Sequence, residues 1–329
     1  MKLIAGSGRS GTTWVLDSLA AANGLRPIFE PLHPAVSAIG ARYAYRALSA
    51  DEDHHELQRF LVEACRGHLH PMWIRYRGRP DLLLPPLHTL ASLGSARNLY
   101  HEWRYFLRDL PGLVAGAASR APIVKCIRAN LMLGWLARRF DCRIVLIVRH
   151  PGAVVESQLR LSNKVWDPEP VLRRYRTDAR LDEMTQGRYR RLLNRSLSRT
   201  EALAANWIVE NQWPLEQADA LGLTVVQYER LKSLPDLEWP RLCRALALAK
   251  APDKVLRERP SQQSATDRSD GSQPVSRAPR WQRSLTSEQI GQIQDVLDEA
   301  RFDLYSMREP DVGNATAGHG PAPAAVLQS

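Results

Sequence analysis

Residues 2–14 read KLIAGSGRSGTTW, and the fold class follows from them. Lys2 to Ala5 reads as a short buried strand, the Gly/Ser run as a tight turn, and Thr12 to Ala22 as an apolar-periodic helix stopped by Asn23-Gly24. A strand that turns through glycines into a helix is built to hold phosphate. Glycines let successive backbone amides converge on an anion, and the positive end of the helix dipole favours it. The spacing of Gly6, Gly11, Thr12 and Thr13 is that of GxxxxGK[ST], with Thr12 standing where the lysine belongs. An ATPase uses that lysine on the β- and γ-phosphates, so its replacement argues against γ-phosphoryl transfer. A cation, Arg9, lies inside the loop instead. The bland alternative is an ordinary strand-to-helix turn in which Thr12 and Thr13 only cap the helix.

Working outward, Arg26 to Phe29 reads as a second strand ending in Glu30-Pro31, Pro122 to Ile127 as another, and Arg143 to Val148 (RIVLIV) as the clearest. Continuous apolar runs of this kind suit a parallel sheet covered on both faces. Pro151 opens a helix to about Leu161. Ser198 with Glu201 forms a capping box at the head of a long helix, kinked at Pro214 and ending near Gly222. Leu223 to Tyr228 is a further strand, and Thr286 with Gln289 caps a last helix to about Leu304. Strands alternating with helices give an α/β fold, a three-layer sandwich around a central parallel sheet of the P-loop NTPase type with helical insertions. The predicted organisation is one domain over residues 1–309. Within it lie a mainly helical insertion at about 35–118 and a mobile loop at about 261–280, and a disordered Gly/Ala/Pro-rich tail follows at 310–329.

The 329 residues carry a net charge of +10 with 39 Arg against 6 Lys, a bias toward anionic partners that codon usage alone can also produce. The composition excludes disorder, fibres and disulfide-stapled miniproteins. No run approaches the roughly 18 apolar residues of a membrane span. Four scattered cysteines form no CxxC pair, which fits reduced thiols and a cytoplasmic setting.

GSGRSGTTW (6–14) looks like the 5′-phosphosulfate loop of sulfotransferases that use 3′-phosphoadenosine 5′-phosphosulfate (PAPS), and RIVLIVRHPGAVVESQL (143–159) resembles the 3′-phosphate motif of the same family. FEPLHP (29–34), YERL (228–231) and RWQRSLTSEQI (280–290) are weaker echoes that look most like the carbohydrate-acting branch. The resemblance spans about residues 2–305, with 35–118 and 160–200 unmatched.

The resemblance implies the following roles. Arg9, Ser10, Gly11, Thr12 and Thr13 hold the 5′-phosphate, with Arg9 reaching the transferring sulfuryl group, where charge builds up. Trp14 matches an adenine-stacking position, and plain helix packing is the competing reading. Arg149 and Ser157 match the pair that binds the 3′-phosphate, in an RHP-x5-S pattern at the carboxyl edge of a strand, where ligands bind in such sheets. His150 stands where Asp or Asn is usual. Arg277 and Arg280 are both candidates within the loop that closes over the 3′-phosphate. Cytosolic members carry a His base two residues after a strand Lys. Here Lys125 is present but position 127 is Ile, so Glu30 is the expected base and Lys125 the stabiliser of the sulfuryl group, with Arg128 a weaker candidate. A salt-bridged strand-end carboxylate is the alternative for Glu30.

The reaction implied is in-line transfer from PAPS to a hydroxyl, leaving 3′-phosphoadenosine 5′-phosphate (PAP), without a catalytic metal. The expected acceptor is a saccharide, a lipid-linked saccharide or a small molecule. Neither nucleic acid nor a transmembrane segment is expected, and a homo-oligomer is compatible with the sequence. Two other classes compete, a P-loop kinase and a nucleotide-binding protein without turnover. His54-His55 and the Cys65, His68, His70 group fit no closed metal set. The arginines between 173 and 199 are interleaved with Asp178, Asp182 and Glu183, so a solvated helical face is the default, with an acidic polymer or an acidic acceptor as the sharper alternative.

Overall fold

The computed structural model describes residues 1–34, 38–66, 120–163, 165–258 and 279–308. Most of the expected insertion, the loop at 261–278 with Arg277, the tail from 309, and His68 and His70 lie outside the described residues. In chain order the elements are β1 (Lys2–Gly6), α1 (Thr12–Asn23), β2 (Arg26–Phe29), α2 (Ala38–Tyr43), α3 (His55–Arg66) and β3 (Pro122–Lys125). A 3-10 turn at Asn130–Met132 leads into α4 (Leu133–Arg139), β4 (Arg143–Val148), α5 (Pro151–Leu159), α6 (Glu169–Thr177), α7 (Ala179–Met184), α8 (Arg190–Asn194) and α9 (Arg199–Glu216). The chain continues through β5 (Thr224–Gln227), α10 (Tyr228–Ser233), α11 (Pro235–Ala245), α12 (Lys254–Glu258), α13 (Arg280–Ser284) and α14 (Ser287–Glu299).

The five strands form one parallel sheet in the order β2-β3-β1-β4-β5. Apolar runs occupy its centre because both faces are covered: Leu3, Ile4, Val145, Leu146 and Ile147 are almost fully buried. Parallel pairing brings every strand's carboxyl end to one edge. The phosphate loop follows β1, Glu30 follows β2, Lys125 ends β3, Arg149 follows β4, and Tyr228 follows β5.

The differences from the sequence reading lie mainly at boundaries. β3 stops at Lys125 and β5 at Gln227, with Tyr228 opening a helix instead of closing a strand. The Ser198/Glu201 capping box is present, but α9 ends at Glu216. Pro214 sits in its last turn, and Gly222, in the left-handed region at φ 61°, belongs to the turn that follows. The Thr286/Gln289 box also forms, and its helix ends at Glu299. Arg280 is the first residue of a short helix, where a loop is predicted. The segment from 173 to 199 folds into three short helices whose arginines are largely neutralised, including Arg176 by Glu169, Arg188 by Glu216, Arg190 by Asp182 and Arg195 by Glu201 and Glu299. No helix among the described residues is long and apolar enough to cross a membrane.

Candidate active site

The loop after β1 is shaped by close approach. A Cβ on Gly6 would strike the Ile147 carbonyl, one on Gly8 the ring of Trp166, and one on Gly11 the ring of Tyr228. Gly11, at φ 86°, is the N-cap of α1 and no side chain caps that helix, so Thr12 and Thr13 are not used as capping hydroxyls. Ser7 and Ser10 hydroxyls meet at 2.6 Å, and Ser10, Thr12 and Thr13 are all buried. The amides at the head of α1 lie at the positive end of its dipole.

The two motifs separated in sequence meet here. Arg9 Nε donates to Ser157 Oγ at 2.9 Å, and Arg149 Nη1 donates to the Arg9 carbonyl at 3.0 Å. Gln158 Nε2 closes the contact by donating to the Gly8 carbonyl at 3.0 Å. The Arg149 guanidinium lies 4.5 Å from the Tyr228 ring, and its buried Nε has no hydrogen-bond partner. A guanidinium held at a loop of converging amides, with one buried donor unspent, is chemically suited to a phosphate oxygen. Arg280 pairs at 3.5 Å with Glu156, the residue before Ser157.

Trp14 is packed rather than open. It is 7% exposed, donates from Nε1 to the Arg257 carbonyl at 3.0 Å, and meets Tyr228 and Trp239 edge-on. Lys232 Nζ lies over it at 4.1 Å. Burial, and then the neighbouring Arg149, lower the pKa of that ammonium. Trp166 packs against the loop at Gly8, near Ile127.

His150 serves as a helix cap. Its Nδ1 accepts the Gly152 amide at 3.1 Å and so caps α5, which fixes the proton on Nε2, 3.3 Å from the Ser306 carbonyl. The ring stacks on Trp281 at 4.6 Å, and burial lowers its pKa to about 4.

Across the loop stands a second cluster. Glu30, 2% exposed, receives Lys125 Nζ at 2.5 Å on Oε1 and Arg128 Nη1 at 2.6 Å on Oε2, and the Ile127 amide donates to both oxygens. Burial alone would raise its pKa. The two cations and the hydrogen bonds outweigh that and bring it below the usual carboxylate range. Arg128, the weaker candidate in the sequence, is thus as close to Glu30 as Lys125 is. The cluster extends to Tyr45, whose ring is 5.5 Å from the Arg128 guanidinium and whose amide donates to the Arg128 carbonyl. Beyond it, Tyr45 meets Tyr175 edge-on, and Tyr175 donates at 3.4 Å to the buried Glu210. Burial raises the Glu210 pKa to about 8.

Sequence reasoning does not reach Tyr45, Tyr175, Glu210 or Lys232. It also misses His33, which burial and Arg128 lower to about 4. Among the described residues six non-glycine residues have positive φ, and Arg9 (74°), Glu30 (53°) and Tyr45 (62°) are three of them. Concentrated backbone strain of this kind marks functional sites. No group of three or more metal-ligating side chains occurs among the described residues.

A profile described as "Sulfotransferase family" matches residues 3–253. Among solved structures, the sulfotransferase domain from the curacin biosynthetic pathway is 15% identical over 92% of this chain and 98% of its own, with a TM-score of 0.40. The sulfotransferase domain from the Synechococcus PCC 7002 olefin synthase is 18% identical over 92% of this chain and 95% of its own, also at 0.40. No curated protein matches the chain.

Proposed function

The chain belongs to the sulfotransferase family, and from that premise we propose that it moves the sulfuryl group of PAPS to a hydroxyl of a saccharide or lipid-linked saccharide, with Glu30 as base. One observation carries the reading: Arg9, Ser157 and Arg149 form a single hydrogen-bonded group at the head of α1, although they lie up to 148 residues apart. The glycine loop with Thr12 and Thr13 binds the 5′-phosphate. Arg149 and Ser157 bind the 3′-phosphate, with Lys232 a further cation at the adenosine end and Arg280 and Arg277 as outer candidates. Trp14 frames the base from within the core.

The donor supplies a sulfuryl group already activated as a mixed anhydride with phosphate. As the acceptor oxygen bonds to sulfur and the sulfur–oxygen bond to phosphate breaks, the hydroxyl proton passes to Glu30. Arg9 meets the charge that develops on the leaving oxygen. Protonation of Glu30 also weakens its pairing with Lys125, so that ammonium turns toward the sulfuryl oxygens as they gain charge. Positioning and charge stabilisation carry the step.

A second assignment of the base rests on His33. It is neutral at physiological pH, whereas both Glu30 oxygens already accept hydrogen bonds from several donors. Glu30→Gln is expected to lower turnover by ~10²–10⁴-fold while PAP still binds, with His33→Ala far milder. The reverse ranking transfers the role to His33.

The donor assignment is tested by the rise in melting temperature with PAP against AMP, ADP and Mg-ATP. A ligand at 100 times its Kd stabilises by about 2.7 kcal/mol. The expected result is a rise selective for PAP that Arg149→Ala abolishes. Preference for Mg-ATP, or no shift at all, overturns the reading.

A further inference from the structure

Beside the Glu30 cluster lies a cavity of about 740 Å³, within the ~300–1,000 Å³ range of small-ligand sites. Five arginines line it, Arg42, Arg46, Arg173, Arg174 and Arg180, with Glu52, Asp178 and Glu183 the acids. Two of the five are neutralised, Arg42 by Glu56, and Arg180 by Glu52 and Glu183. The other three have no carboxylate partner among the described residues. Arg174 is fixed by the backbone carbonyls of Ala41, Arg42 and Ala44, so its position is held and its charge is undischarged. The side chains of Arg46 and Arg173 make no hydrogen bond or ion pair among the described residues. Asp178 keeps its negative charge, but its oxygens are occupied by the amides of Ala47, Arg180 and Leu181 and it forms no ion pair with these three arginines.

The segment 45–47 connects this cavity to the Glu30 cluster. Tyr45 lies against Arg128, Arg46 is in the cavity wall, and Ala47 is tied to Asp178, also in the wall. Among the described residues Pro170 and Ala179 are the only non-polar side chains in the lining, and the rest of its apolar surface comes from the stems of the charged side chains. Glu52 and Glu183 offer acceptors to hydroxyl groups, and planar guanidinium groups match carboxylate and sulfate oxygens in a forked geometry.

We infer that this cavity is the acceptor subsite for an acidic saccharide, with Arg46, Arg173 and Arg174 holding a carboxylate or sulfate ester next to the transfer site. The assignment rests on the sulfuryl-transfer reading above for its role, and on the cavity alone for its anion binding.

The test is a calorimetric titration with a hyaluronan tetrasaccharide, a chondroitin 4-sulfate tetrasaccharide and neutral chitotetraose, run with and without saturating PAP. Wild-type protein is compared with the Arg46→Gln/Arg173→Gln double variant. At least one acidic probe is expected to bind wild type and to bind the double variant tenfold or more weakly. Chitotetraose should be indifferent to the substitution, and an unchanged melting temperature and PAP shift show that the variant is folded. If neither acidic probe binds wild type, or if both proteins bind them equally, the inference falls. A missing PAP shift sinks the donor assignment instead, which the titrations without PAP keep separate from this result.

Discussion

The two sides of the site are held together differently. On the loop side, contacts come from backbone amides, small hydroxyls and glycines at the head of α1, with Arg149 and Ser157 reaching in from β4 and α5. On the Glu30 side, long charged side chains are locked against one another in the interior, and Glu30 sits between Lys125 and Arg128. A site built from backbone tolerates the loss of a side chain without unfolding, because its shape is set by the strand-turn-helix path. A site built from buried charges does not, because each charge depends on its partner to offset the cost of leaving water.

Lys125→Ala breaks this comparison most directly. It leaves Glu30 buried with one cation fewer, and removing one partner of a buried pair costs about 3–5 kcal/mol. The melting temperature without ligand should fall sharply, and turnover should fall with it. Arg149→Ala removes a bond to the Arg9 carbonyl and a ring contact, each worth about 1 kcal/mol. It should therefore cost the unliganded protein about 2 kcal/mol, less than Lys125→Ala, while erasing the PAP response. Equal destabilisation by the two substitutions would end the distinction.

The same contrast separates two carboxyls on one side of the molecule. Glu30 has cations and is held ionised. Glu210 is buried without a directly bonded cation, so burial keeps it protonated up to about pH 8. Between its ordinary pKa near 4.5 and about 8 the folded protein holds a proton that the unfolded chain has released, so stability falls as pH rises through that window. Glu210→Gln removes this penalty. The variant should match wild type near pH 5 and exceed it progressively toward pH 8, by a few kcal/mol and at most about 4. Denaturant midpoints across that range give the answer, and parallel curves would mean that Glu210 is ionised in the fold.

What the sequence makes legible follows from distance along the chain. β1, the loop and α1, β2, β4 and the start of α5 announce themselves because their signals are local: apolar runs, glycines at fixed offsets, a proline at a helix start. Arg9, Glu30, Lys125, Arg149 and Ser157 become candidates because each sits beside such a signal in a segment that resembles a motif of the family. Lys232 over Trp14, Tyr228 against Gly11, Trp166 against Gly8 and the Tyr175–Glu210 bond join segments that only folding brings together. Nothing local marks them. The arginines between 173 and 199 show the limit from the other direction. Their density is plain in the sequence, but which of them are neutralised depends on carboxylates such as Glu52, Glu216 and Glu299 in distant elements.

His150 gives the smallest of these effects and the one that separates architecture from chemistry at the 3′-phosphate motif. Its ring is 2% exposed, caps α5 through Nδ1 and stacks on Trp281, and burial lowers its pKa to about 4 from 6.5. The unfolded chain takes up a proton below pH 6.5, and the folded protein does so only near pH 4. The neutral ring's contribution is therefore fully present above pH 6.5 and is lost as pH falls through this window, by up to about 3 kcal/mol. Asn also caps helices but does not titrate. His150→Asn should keep the PAP shift at pH 7.5 and flatten the decline in melting temperature between pH 6.5 and 4. Loss of the PAP shift in that variant would instead move His150 from the frame of the helix into the binding site itself.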